Sequence, residues 1–205
     1  MNWLAHVFLS ENNIEHQLGN LLADPLKGRA WDEATPMFRK GLETHKRIDT
    51  FTDNHPLFLQ SKSRLKNRKY LKAVVIDIVY DHLLTIHWQK YASKDFSEFT
   101  SDFRTQAPQQ IELYPDKAKE IINRVVDIKL LSSYSDLKGL GEGFKRIDRR
   151  LSDRVLKKET AFGYLSLVEK ELVHIERDFL EFFPELMEHV QTHVDEDGLN
   201  HWVES

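Results

Sequence analysis

Residues 74–88, VVIDIVYDHLLTIHW, form one strongly apolar run into which Asp77, Asp81, His82 and His87 intrude. Wound as a helix, the run places Leu71, Val75, Val79 and Ile86 on one stripe. His82 falls near the centre of that stripe, and Asp77 and Asp81 lie one turn apart on its flank. Apolar residues recur at three and four positions through much of the chain, whereas alternation of β-branched and polar residues is scarce. The expected fold class is therefore all-α, a single-domain helical bundle.

Helices are expected at roughly 14–24, 37–52, 57–67, 69–91, 95–107, 116–131, 144–156 and 159–191. Pro25, Pro36, Pro56, Pro108, Pro115 and Pro184 disfavour helix in the residue before them and mark boundaries or kinks, the last within helix 159–191. Ser and Gly cluster in 132–143, SSYSDLKGLGEG, which reads as a flexible loop. Its Gly139, Gly141 and Gly143 follow no strand and lack dinucleotide-loop spacing, so they read as a hinge. A domain over 1–194 is followed by an acidic tail, 195–205.

The 205 residues, 40% hydrophobic and 30% charged, suit one globular domain with a sizeable core. Without cysteine there is no disulfide, thiolate zinc site or cysteine nucleophile, so any metal must be held by His, Asp and Glu. No apolar run approaches the ~20 residues that span a bilayer, and the N-terminus lacks a basic leader, so a cytoplasmic protein is expected. A net charge of −4 argues against a general nucleic-acid binder. The average hides a local patch: SKSRLKNRKYLK, 61–72, carries six basic residues and no acid.

Three further segments place polar groups among apolar ones. In MFRKGLETHKRIDTFTDNHP, Phe38, Leu42, His45, Asp49 and Thr52 share a helix face, which turns a His and a carboxylate inward. In GNLLAD, Asn20 and Asp24 lie one turn apart near a helix end, and His6 sits within WLAHVFL. Buried unpaired, such groups cost several kcal/mol, so they need mutual hydrogen bonds, charged partners or a cation. A His–Asp pair that holds a helix in register, or a satisfied core histidine at His82, would also explain them. Together they supply at least four carboxylates and two or three histidines without a thiolate, which suits a hard or borderline divalent cation such as Mn, Mg or Fe. Glu171 and His174 have the spacing of a di-iron helix motif, but the second such motif is missing, and a solvated helix face is expected there.

The motifs MNWLAH, GNLLAD, HKRIDTFTDNHP and DIVYDHLLTIHW, in this order, resemble the acyl carrier protein phosphodiesterase family from Met1 to about Val190. The resemblance implies an all-α fold related to the HD phosphohydrolases. It also implies a manganese-dependent enzyme that cleaves 4′-phosphopantetheine from the serine of holo acyl carrier protein, leaving apo carrier protein. On that basis Asp24, His45, Asp49 and Asp81 are expected to hold the metal and His82 or Asp77 to assist proton transfer, with His6 and Asp53 nearby. The doublet reads Asp81-His82, the reverse of the HD order. Arg64, Lys66, Arg68 and Lys69 are expected to steer the small, acidic carrier protein. The competing readings are an HD-like phosphohydrolase of a nucleotide or other small phosphate ester, and a non-catalytic helical module that binds an acidic protein.

Overall fold

The computed structural model describes residues 1–66, 68–127 and 129–203. Asn67, where the expected helix 57–67 ends, Ile128 of the expected helix 116–131, and Glu204 and Ser205 of the expected tail lie outside them. The all-α expectation holds: among the described residues there is no β-strand, and the only bridge pairs Ala92 with Trp202.

Among the described residues eleven α-helices follow in order: α1 (Trp3–Phe8), α2 (Ile14–Leu22), α3 (Pro36–Asn54), α4 (Pro56–Arg64), α5 (Lys72–Ile86), α6 (Trp88–Tyr91), α7 (Phe96–Gln110), α8 (Asp116–Asp127), α9 (Leu137–Asp148), α10 (Asp153–Leu156) and α11 (Leu165–Gln191). Pro36 and Pro56 occupy first helical turns, where a missing N–H costs nothing, behind the caps Thr35 and His55. α5 starts later than expected. The backbone just before it is held from a distance by Glu159, whose carboxylate accepts from the amides of Lys69, Tyr70 and Leu71.

One local expectation is corrected. The segment 132–143 is not a loop throughout, because α9 begins at Leu137, capped by Asp136 Oδ1 at 2.6 Å from the Gly139 amide. Its glycines are contact points, not hinges: a Cβ on Gly139 would lie 2.2 Å from the Ser133 carbonyl oxygen, and one on Gly143 2.5 Å from the Tyr134 ring. α11 runs through Pro184 to Gln191, because its stripe of Phe179, Phe182, Phe183, Leu186 and Val190 is buried on both sides of the proline. Burial of that stripe outweighs one lost hydrogen bond.

The core is aromatic. Phe8 packs against Trp88, Phe99, Phe183 and Trp202, and Tyr80 against Phe58, Phe179 and Phe182. Leu199, His201 and Trp202 are buried too, and both His201 Nε2 and Trp202 Nε1 donate to the Phe8 carbonyl oxygen.

α2 and α3 approach at backbone distance. A Cβ on Gly19 would sit 2.1 Å from the Phe38 carbonyl oxygen, and one on Gly41 2.2 Å from that of His16. Only hydrogen fits at either position. This contact brings His45 of α3 onto Asn20 of α2.

Candidate metal centre

α1, which the periodicity did not single out, carries the first residue of the site. Its amide groups at Leu4 and Ala5 donate to the two carboxylate oxygens of Asp81, at 2.9 and 3.0 Å. A fully buried carboxylate thus satisfies buried first-turn N–H groups and neutralises the positive end of a short helix. Burial first, against these two hydrogen bonds, pushes Asp81 up to about 7. Asp81 therefore holds α1 in place and is not among the groups that converge at the site.

The converging groups are His6, His45 and Asp49, whose donor atoms all lie within 4.8 Å of one another. The two imidazoles stack, with centroids 4.0 Å apart and planes at 16°. One residue orients both. Asn20 donates its amide to the His6 carbonyl oxygen and to Ser10 Oγ, each at 2.9 Å. Its Oδ1 is therefore an acceptor, and His6 Nδ1 donates to it at 2.7 Å. The Asn20 carbonyl oxygen accepts from His45 Nδ1 at 2.8 Å. With both Nδ1 atoms carrying protons, both Nε2 atoms can present lone pairs to the same spot, the second-shell pattern of metal-binding histidines.

Asp49 lies 3.3 Å from His6 Nε2 and 3.0 Å from His45 Nε2, and Asp24 Oδ1 is 3.3 Å from the latter. Burial, then the charge on His45, lowers His6 to about 4 and keeps it neutral. Burial also opposes charge on His45, but hydrogen bonds to Asp24 and Asp49 outweigh it and raise that imidazole to about 9. Burial would raise Asp49, yet the two imidazoles hold it far below the carboxylate range. Two carboxylates and one bare imidazole nitrogen gathered around a single proton are a donor set with affinity for a cation. His6 Nε2 has no hydrogen-bond partner among the described residues. The residues present fit a divalent metal.

Asp24 is exposed and reaches the cluster from the end of α2, as its place in GNLLAD suggested. Asp77 sits beside it, 3.2 Å from the Met1 amino group, which is also 3.2 Å from Asp49. Burial raises Asp77. His82 is placed elsewhere: it is buried, and its Nδ1 donates to the Tyr134 carbonyl oxygen at 2.6 Å. Asp53 and His174 are exposed and outside the cluster. Asn20 was legible only as the partner of Asp24 in sequence; its work as the shared orienter of two rings needed the α2–α3 contact.

Asp24, His6, His45 and Asp77 line a cavity of about 950 Å³. Trp3, Leu21, Val74, Ile121, Val125 and Ile147 supply apolar walls, and Lys117, Arg124, Arg146, Arg149 and Arg150 supply positive charge. The basic patch 61–72 does not line it. Arg64 forms a two-pronged ion pair with Asp178, at 2.6 and 2.7 Å, and Arg68 donates to the Gly163 carbonyl oxygen over the ring of Tyr164. Lys66 and Lys69 are exposed. No helix among the described residues is long and apolar enough to cross a membrane.

The acyl carrier protein phosphodiesterase family model matches residues 1–186. The chain is 27% identical to the acyl carrier protein phosphodiesterase of Serratia proteamaculans, over 92% of this chain and 96% of that one. It is likewise 27% identical to that of Photorhabdus laumondii, over 92% and 94%. Identity is 33% to that of Escherichia coli O6:H1, over 60% and 63%. No solved structure matches. A match that runs through the cluster, the cavity walls and most of α11 shows that this chain belongs to the acyl carrier protein phosphodiesterase family.

Proposed function

We propose that the protein hydrolyses the phosphodiester between 4′-phosphopantetheine and the serine of holo acyl carrier protein, releasing apo carrier protein. The observation that carries this reading is the pair of imidazoles turned by Asn20 so that both Nε2 atoms meet Asp49 beside a large, partly apolar cavity. Its volume is in the range of ligand sites, roughly 300–1,000 Å³. An extended prosthetic arm ending in phosphate suits a lining that is part apolar and part charged.

His6, His45 and Asp49 would hold a divalent cation, with Asp24 able to join them. Two imidazoles and carboxylates without thiolate suit a borderline ion, and manganese is the one proposed, with magnesium and iron(II) as comparison ions. Such a cation, when bound, acidifies water and offsets charge on phosphoryl oxygens. Asn20 keeps both rings in the ligating tautomer. Asp77, on the cavity wall, is the group proposed to hand a proton to the leaving serine oxygen. His82 is assigned a positioning role, holding the Tyr134 segment through its backbone.

Arg149 and Arg150, exposed at the cavity without an ion pair among the described residues, take over the steering role expected of the 61–72 patch. An acidic carrier protein complements them. The reaction is placed in the cytoplasm.

The test follows the mass of holo acyl carrier protein incubated with the protein, with and without manganese. Loss of the phosphopantetheine mass only with manganese, abolished in His45→Ala and Asp49→Ala, is expected. An unchanged carrier with metal demonstrably bound would sink the reading and turn attention to small phosphate esters.

A further inference from the structure

Arg146 stands apart from the other cations of the cavity. Lys117 and Arg124 are engaged, the first with the Pro25 carbonyl oxygen and the second with Glu120, and Arg149 and Arg150 are exposed. Arg146 is half-buried, and among the described residues no carboxylate lies within ion-pair distance of it. The neighbouring Glu142 pairs with Lys145 instead. The guanidinium meets a hydroxyl, Ser133 Oγ at 2.8 Å from Nη2, and an aromatic face, with its central carbon 5.3 Å from the centroid of the Tyr134 ring. Its Nε is buried without a hydrogen-bond partner among the described residues.

The surroundings fix this arrangement from three sides. Gly143, one turn before Arg146 on α9, lets the Tyr134 ring lie where any Cβ would collide with it at 2.5 Å. His82 Nδ1 grips the Tyr134 carbonyl oxygen from α5. Ser133 takes one prong of the guanidinium. A half-buried, always-charged fork with no counter-ion is costly unless an anion comes to it, and the planar fork matches two phosphoryl oxygens.

We infer that Arg146, stacked on Tyr134, is the phosphate-binding residue of the cavity, holding the non-bridging oxygens of the substrate's phosphodiester opposite the His6–His45–Asp49 cluster. The inference rests on the phosphodiesterase reading of the cavity, and it adds a group that neither the motifs nor the metal cluster contains. Tyr134, Gly143 and His82 act through Arg146 and are positioning residues.

The experiment is a calorimetric titration of the full chain with inorganic phosphate, with and without manganese, for wild type, Arg146→Gln, Arg146→Lys and Lys170→Gln. In both conditions Arg146→Gln is expected to bind phosphate about tenfold or more weakly, as loss of a hydrogen bond to a charged group implies. Arg146→Lys, which keeps the charge and loses the fork, is expected to recover only part of the loss, and Lys170→Gln, exposed on α11 and outside the cavity lining, to match wild type. Phosphate binding that is absent in wild type, or equal in wild type and Arg146→Gln, overturns the inference. If Arg146→Gln does not fold, equal binding by Arg146→Lys and wild type overturns it. Holo-carrier hydrolysis by the same wild-type sample separates the two ideas. Turnover with Arg146-independent phosphate binding removes this inference alone, and Arg146-dependent binding without turnover removes the carrier-protein reading alone.

Discussion

Two buried polar clusters, one where α4 meets α11 and one where α2 meets α3, differ in what they leave unused. At the α4–α11 contact, Asp178 accepts from Gln60, from Ser61 and twice from Arg64, and Ser61 reaches on to Tyr80. Donors and acceptors balance, charge is neutralised, and nothing remains to bind. At the α2–α3 contact, Asn20 consumes one nitrogen of each imidazole, and the other nitrogens face Asp49 with Asp24 close by. Acceptors outnumber donors. Complete satisfaction marks a structural network, and a surplus of lone pairs converging on one point marks a binding site.

The contrast can be broken first on its structural side. Arg64→Ala strands the buried Asp178 carboxylate and is expected to lower stability by about 3–5 kcal/mol, read by chemical denaturation. A loss under 1 kcal/mol would mean that the network is not what joins α4 to α11. On the other side, manganese at about a hundred times its dissociation constant should raise stability by about 2.7 kcal/mol, and chelation should reverse the gain. His45→Ala should show no such gain. An equal rise in melting temperature for that variant would place the metal elsewhere.

Asn20→Ala sharpens the comparison without touching a ligand. Freed of their shared partner, both rings lose tautomer and orientation, and metal affinity should fall by about ten- to a hundredfold, as for other outer-shell partners. Unchanged affinity would show that the rings are held by packing alone.

The smallest expected effect concerns a third buried ring. His201 donates Nε2–H to the Phe8 carbonyl oxygen, while its Nδ1 is buried with no partner among the described residues and no carboxylate beside it. Burial lowers it to about 4, against the backbone hydrogen bond. A depressed histidine pKa means that the unfolded chain takes up the proton first. Its contribution is therefore whole above the ordinary value near 6.5 and is lost as pH falls toward 4. Between pH 6.5 and pH 5 the loss from this ring should be about 1–2 kcal/mol, and His201→Gln should flatten that part of the stability profile. A profile with the same slope in the variant would assign the acid sensitivity to other groups.

Much of this was legible in the chain. The 3.6-residue period placed His45 and Asp49 on the buried face of α3, and GNLLAD set Asp24 at the end of α2. The same period was not enough at α5. Asp81 and His82 point inward as expected, but one caps α1 and the other holds Tyr134. Glycine-rich 132–143 read as a loop because composition does not distinguish a glycine needed for turning from one needed for contact. The basic run 61–72 read as a recognition surface because its acidic partner, Asp178, lies more than a hundred residues away.

By itself, then, the sequence determined the helices, their buried faces, the inward histidines and carboxylates, and the family motifs, because each depends on neighbours within a few turns. Which inward groups meet was decided only in three dimensions. Periodicity assigns a side chain to a face of its own helix but says nothing of how that helix is rotated, shifted or approached by another. Here Gly19 and Gly41 let two backbones touch, Asp81 seats α1, and these long-range contacts turn three scattered polar residues into one centre.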